Sequence, residues 1–248
     1  MKKPLKILVL DNTREEKSFG SKNLVYWALK TSPEGSEIIV RRSPDHDLPP
    51  VDIAVDAIIL SGSVTSCVEL SESWIKPYDD FIAAHITKGT PMLGVCYGHQ
   101  AIARYLFRQA KGELKLGKAA DAEYGWQEIR KVGDHPFLES LPQKFNTYES
   151  HYEEVSELPP GAVLLASSER CLVQAFQVEH KPIFGIQFHP EYSIDEAEAS
   201  LAQKLKKGVR KDWILNPGKG SALYDENVGK VIFGNFFRIA AERRRENK

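Results

Sequence analysis

The segment Gly94-Val95-Cys96-Tyr97-Gly98-His99-Gln100 constrains this chain more than any other. It follows an apolar run, Pro91-Met92-Leu93, and runs into the helix-like stretch 101–106. That order is strand, sharp turn, helix, with a cysteine at the apex and a glycine two positions to each side. Glycines there let the backbone turn steeply and let other groups come close. The G-x-S-x-G nucleophile elbow holds its serine in the same way. Here the apex group is a thiol at a helix N-terminus, where unpaired N–H groups and the helix dipole favour a thiolate. The competing reading is a buried structural cysteine beside two turn glycines.

A second segment bears on that choice. Residues 184–188 read as a strand and lead into His189-Pro190-Glu191. A thiol nucleophile needs a base, and the base needs an orienting acceptor. Side chains two apart on an extended chain point the same way, and Pro190 biases His189 toward extended backbone. Cys96, His189 and Glu191 therefore read as nucleophile, base and orienter. Taken without the elbow, His189 reads as a solvated histidine at a strand end.

The rest of the chain sets the frame. Apolar runs at 5–10, 37–41, 57–60 and 91–93 alternate with helical patterns at 23–30, 74–87 and 101–106. Such alternation implies a mainly parallel, doubly wound (flavodoxin-like) α/β sheet with helices on both faces, whose ligands bind beyond the carboxyl ends of the strands. The second half is richer in strands, expected at 123–132, 163–167, 171–179 and 183–188, with 180–182 as a hairpin connection. Ser193 and Glu196 fit a capping box opening a helix that runs to about 208; 212–220 reads as irregular, and 228–241 as a final amphipathic helix. The whole, 1–248, reads as a single domain.

Of the 248 residues 42% are hydrophobic and 27% charged, and the formal net charge is −1, an ordinary globular composition without the basic excess of a nucleic-acid binder. The Arg243–Arg245 cluster reads as cations closing a helix. The three cysteines, Cys67, Cys96 and Cys171, have no metal-ligand spacing, and no metal or cofactor is expected. The Met1-Lys2-Lys3-Pro4 start has no apolar leader pattern, and no stretch approaches the ~20 apolar residues of a membrane span. These features fit a cytoplasmic enzyme with neither membrane nor nucleic-acid partner.

With the motifs Gly94–Gln100 and 185–191 in place, the chain resembles the class I, triad-type, glutamine amidotransferases, the family of the glutaminase domain of GMP synthetase. Residues 58–63 and Ser150-His151-Tyr152-Glu153 lie where that family places weaker motifs. The resemblance implies hydrolysis of the γ-amide of glutamine through a cysteinyl thioester, with no cofactor. It assigns the oxyanion hole to the N–H of Tyr97 and to the turn Gly62-Ser63, where Ser63 replaces a glycine of many relatives. It assigns substrate contacts to Gln100 and to the Ser150, Tyr152 and Glu153 segment, where Tyr152 replaces another glycine. Asp11 and Asn12 lie on the same sheet edge. The bland reading of 150–153 is a polar turn after a strand.

Roughly 35 residues, at about 193–228, separate the His-Pro-Glu motif from the final helix, longer than an ordinary connection. They suggest a lid, a partner surface or a substrate-specific insertion; the alternative is peripheral decoration. No G-x-x-x-x-G-K-[ST] motif follows, so any ammonia acceptor would sit on a separate synthetase partner. Two rival readings stay open: a stand-alone γ-glutamyl peptidase or hydrolase with the same triad, and a silent regulatory domain.

Overall fold

Alternating side chains in the first strands dictate two buried faces. In β1 (Lys6–Asp11) Ile7 and Val9 face one way, and Leu8 and Leu10 the other. β3 (Ala57–Leu60) and β4 (Met92–Val95) are buried throughout. Strands with no polar face must be covered on both sides. Helices α1 (Lys22–Thr31) and α6 (Glu226–Glu246) cover one face through Leu24, Trp27, Ile232, Phe233 and Phe236. Helices α2 (Ile75–Lys88) and α3 (Tyr97–Gln109) cover the other through Tyr78, Phe81, Ile82 and Ile102. The computed structural model describes residues 3–14 and 20–246; Met1 and Lys2 of the leader reading lie outside them.

The remaining strands are β2 (Glu37–Arg42), β5 (Leu116–Lys131), β6 (Lys144–Val155), β7 (Ala162–Ser167), β8 (Ala175–Val178), β9 (Ile183–Ile186) and β10 (Ile214–Leu215). Among the described residues the sheet runs β10-β5-β7-β8-β9-β4-β3-β1-β2, with β6 paired to β5. From β2 to β9 the pairs are parallel; β8, β7, β5 and β6 continue antiparallel, and β10 returns parallel to β5. The sheet is thus mixed and mostly parallel, as the α/β alternation predicts. Its carboxyl edge gathers the ends of β1, β3, β4 and β9, which carry Asn12, Ser61, Cys96 and His189.

Several expectations need correction. The sequence sets no bounds on the strand before Ser150 and reads as a turn at 150–153, yet β6 runs unbroken over Lys144–Val155 and is one of the longest. Ser150, His151, Tyr152 and Glu153 lie within it, not in a turn. β5 starts at Leu116 rather than 123, and the strand expected at 171–179 begins only at Ala175. The irregular 212–220 stretch contains β10.

The segment after His189-Pro190-Glu191 docks on the sheet. Ser193 caps α4 (Ile194–Lys206) with the expected capping box, and the short α5 (Gly220–Leu223) precedes α6. Ala197 and Leu201 of α4 join Tyr124, Trp126 and Tyr148 of β5 and β6 in a third apolar cluster, flanked by Trp213, Ile214 and Tyr224. Asn216 Nδ2 donates to the Trp126 carbonyl at 3.0 Å. No helix among the described residues is long and apolar enough to cross a membrane, and Arg243–Arg245 form the last turn of α6.

Candidate active site

The elbow forms because two glycines let three backbones touch. A Cβ on Gly94 would sit 2.5 Å from the Gly98 carbonyl, and one on Gly98 would sit 2.6 Å from Leu60 Cβ and 2.7 Å from Leu60 O. Strand β4 therefore turns into α3 directly against the end of β3. Cys96 takes the strain, with φ 49° and ψ −101° at the N-cap of α3. A non-glycine residue there is rare and persists only where surroundings over-determine it. The Cys96 N–H donates to Ile186 O at 2.8 Å, which binds the elbow to β9.

His189 arrives from the end of that neighbouring strand. Its backbone N–H donates to Tyr148 O at 2.8 Å, and its ring packs edge-on against Tyr192 at 5.3 Å. Nδ1 lies 2.7 Å from Glu191 Oε1, which leaves Nε2 for the thiol side. Glu191 is fixed in turn by Trp27, whose indole donates to its carbonyl at 3.3 Å. Burial disfavours a charged His189, but the Glu191 carboxylate and the hydrogen bond with Cys96 outweigh it and hold the imidazole well above its ordinary pKa. Cys96, His189 and Glu191 are all nearly buried. The arrangement is a thiol, an imidazole in contact with it, and a carboxylate on the far nitrogen.

Gln187, which sequence reasoning did not single out, completes this side. Its Nε2 donates to Cys96 Sγ at 3.5 Å, and its Oε1 accepts from Gln100 Nε2 at 3.1 Å. Gln100 also donates to Glu153 O at 2.7 Å and is buried. The only hint in the sequence was the place of Gln187 between the strand and the histidine.

The turn after β3 faces the same thiol. A Cβ on Gly62 would lie 3.2 Å from His189 Cε1 and 3.4 Å from Cys96 Cβ. Ser61 Oγ donates to Gly62 O at 3.0 Å. Ser63 Oγ accepts from Thr65 N at 3.1 Å and pairs with Thr65 Oγ1 at 3.0 Å. Tyr152 Oη donates to Val64 O at 3.0 Å. The Glu153 carboxylate accepts from Ser66 Oγ at 2.7 Å and Cys67 N at 2.5 Å. Tyr152 and Glu153 thus use their side chains to hold residues 64–67, the loop that follows the Gly62-Ser63 turn, while Ser150 lines the cavity itself. Asn12 donates to Ser61 O at 2.9 Å and Asp11 accepts from Ser21, so both brace loops rather than face the cavity. Tyr97 offers its backbone N–H at the first position of α3, while its ring is buried against Trp74 and Tyr78.

These groups open into a cavity of about 620 Å³. Gly62, Ser63, Cys96 and His189 form its floor; Ser200, Lys204 and Lys207 bring the docked segment to its wall.

Behind β6, Glu123, Glu149 and His151 form a buried group whose donor atoms lie within 4.8 Å of one another. Sequence reading had not grouped them, and they are the residues with metal-ligand proximity among those described. His151 Nε2 lies 3.0 Å from Glu123 and 3.4 Å from Glu149. Burial opposes the imidazolium, but both carboxylates override it and push His151 up to about 10; burial pushes Glu149 up as well.

The sequence profile described as Glutamine amidotransferase class-I matches residues 25–207. The A subunit of the glutamine-hydrolyzing GMP synthase of Pyrococcus abyssi is 33% identical over 177 residues, covering 69% of this chain and 84% of that protein. Its counterpart of the same description from Thermococcus kodakarensis is 40% identical over 127 residues, covering 51% of this chain and 61% of that protein. Among solved structures, a glutamine amidotransferase from Thermotoga maritima superposes with a TM-score of 0.74 at 20% identity, covering 97% of this chain and 99% of that one. At that identity the likeness speaks to the fold alone.

Proposed function

Given that this chain belongs to the class I glutamine amidotransferase family, we propose that it hydrolyses the γ-amide of glutamine with Cys96 as nucleophile, His189 as base and Glu191 as orienter. The carrying observation is the contact of the strained Cys96 with an imidazole whose other nitrogen is 2.7 Å from Glu191. His189 holds the proton drawn from the thiol, so the sulfur attacks the amide carbon as a thiolate, and the imidazolium then delivers that proton to the departing ammonia. Water, activated by the same imidazole, cleaves the thioester to glutamate. Glu191 holds the tautomer and stabilises the imidazolium. The N–H groups of Tyr97 and Ser63 receive the oxyanion, each worth about 3 kcal/mol at the transition state. Gln100 steadies Gln187 against the sulfur, and Ser150 lines the substrate's path.

The relatives are named as one subunit of GMP synthase. That supports a separate synthetase partner, which would take up the ammonia. A second reading, a γ-glutamyl peptidase with the same triad, is favoured by the cavity volume and by Lys204 of α4 and Lys207 just beyond it, which line the wall.

Glutamine, γ-glutamyl dipeptides and glutathione supplied separately distinguish the two by the product released. Cys96→Ala should lower the rate more than about a thousandfold, since a covalent nucleophile is lost. Cys67→Ala and Cys171→Ala should keep it. A Cys96→Ala protein with near wild-type turnover removes the thioester route.

A further inference from the structure

The cavity wall contributed by α4 holds a cation that has no counter-ion among the described residues. Lys204 is half-buried and lines the cavity with Cys96. Its Nζ stands 4.4 Å from the centroid of the Tyr124 ring, a cation–π contact. Tyr124 pairs in register with Ser150, which lies in the same wall.

The nearby carboxylates are committed elsewhere. Glu196 accepts from Asn23 at 2.9 Å and from Ser193 at 2.8 Å, and pairs with Lys22 at 3.4 Å. Glu191 belongs to His189. Glu198, on the same helix, takes the Trp126 indole. Among the described residues Lys204 makes no ion pair. Lys207 lines the same wall and repels it. Burial and that repulsion lower the Lys204 pKa, whereas negative charge at Cys96 raises it. A partly desolvated ammonium with only a ring for company is stabilised by any anion that enters.

We propose that Lys204 is the carboxylate-binding residue of this cavity, receiving a free carboxylate of a γ-glutamyl substrate. The carboxylate is either the α-carboxylate of the glutamyl part or one carried by the leaving group. The substrate class rests on the amide-hydrolysis reading above; the attraction of a carboxylate to the thiol does not. A volume of about 620 Å³ lies in the range of sites for drug-sized ligands, which favours the leaving-group source.

The first test uses two alkylating agents that differ by one charge. Iodoacetate and iodoacetamide both react with the thiolate, so the ratio of their rates at Cys96 cancels thiol activation and reports attraction of a carboxylate. Cys67 and Cys171 are fully buried, and mass spectrometry locates the adduct. Lys204→Met should lower the iodoacetate-to-iodoacetamide ratio about threefold to tenfold, the effect of one partly screened charge, while Lys204→Arg keeps it within about twofold. An unchanged ratio in Lys204→Met overturns the proposal.

The second arm separates the sources with glutamine, γ-glutamylglycine and γ-glutamylglycinamide. A leaving-group site raises KM in Lys204→Met for γ-glutamylglycine alone, about fivefold or more. An α-carboxylate site raises it for all three alike. Wild-type KM for all three overturns the proposal. A wild-type protein that turns over none of them, yet shows the alkylation ratio and its loss in Lys204→Met, removes the hydrolase reading and leaves the carboxylate site standing.

Discussion

Adding one methyl group at Gly62 and one at Gly98 should separate catalysis from stability. At Gly62 the new Cβ meets His189 Cε1 at 3.2 Å and Cys96 Cβ at 3.4 Å. Neither contact is backbone, so the fold survives with a change below about 1 kcal/mol. The imidazole, however, is held by Glu191 and Tyr192 and cannot retreat without losing its line to the sulfur. Displacing a reacting group by a few tenths of an ångström to 1 Å costs about ten- to a hundredfold in rate. At Gly98 the Cβ meets Leu60 Cβ at 2.6 Å and Leu60 O at 2.7 Å. The end of β3 and the start of α3 must then separate, which destabilises by about 2–3 kcal/mol. Urea unfolding gives the stabilities, and glutamate release gives kcat/KM. Gly62→Ala should keep its unfolding midpoint and lose activity; Gly98→Ala should lose both. A Gly62→Ala protein with wild-type kcat/KM refutes the placement of that turn against the reacting pair, and a Gly98→Ala protein with a wild-type midpoint refutes the close approach at the elbow.

Other perturbations read other parts of the molecule. His189→Ala should be nearly as damaging as Cys96→Ala, while Glu191→Gln should be milder, because it alters orientation and not the proton carrier; equal wild-type rates for both in steady-state assays remove the pair from the mechanism. Tyr152→Phe loses the hydrogen bond to Val64 O at an exposed site, so kcat should fall a few-fold with thermal stability nearly unchanged; an unaltered kcat shows that this bond does not position the turn. His151 has a folded pKa of about 10, above the 6.5 of the unfolded chain, so its contribution is complete below pH 6.5 and is lost as pH rises through about 10. His151→Gln should therefore cost about 3 kcal/mol or more at neutral pH, from two carboxylates left without their cation. Urea titrations from pH 6 to 10 should show the gap to wild type narrowing; a constant gap contradicts a charged His151.

The geometry of the candidate site was legible because it depends on unusual residues in unusual places. Gly94, Cys96 and Gly98 can be read as a turn from steric rules alone, and His189-Pro190-Glu191 as a base and an acceptor on one side of an extended chain. The parallel half was legible from runs such as 57–60, apolar on both faces. β6 was not, because its buried face reads Thr147, Glu149, His151 and Glu153. Buried carboxylates paired with histidine or with backbone N–H groups look in sequence like solvated ones. Lys204 was hidden for a related reason. A capping box foretells α4, but only the docking of Ala197 and Leu201 on Tyr124 and Trp126 decides which lysine turns inward.

The order of strands also says when the thiol meets the groups around it. β9 lies between β8 and β4, so the last-made strand of the parallel run from β2 to β9 is inserted beside the elbow rather than added at an edge. Cys96 and Gln187 are 91 positions apart in the chain, and His189 and Glu191 lie just beyond. A ribosome that has released only the segment through β8 exposes the cysteine without its imidazole, its carboxylate or the Ile186 carbonyl that anchors its N–H. Contacts between segments so distant form late, because loop closure precedes their reward. The unfinished protein thus carries the thiol without these neighbours, and the pairing of β9 with β4 supplies them ahead of α6, which closes that face of the core.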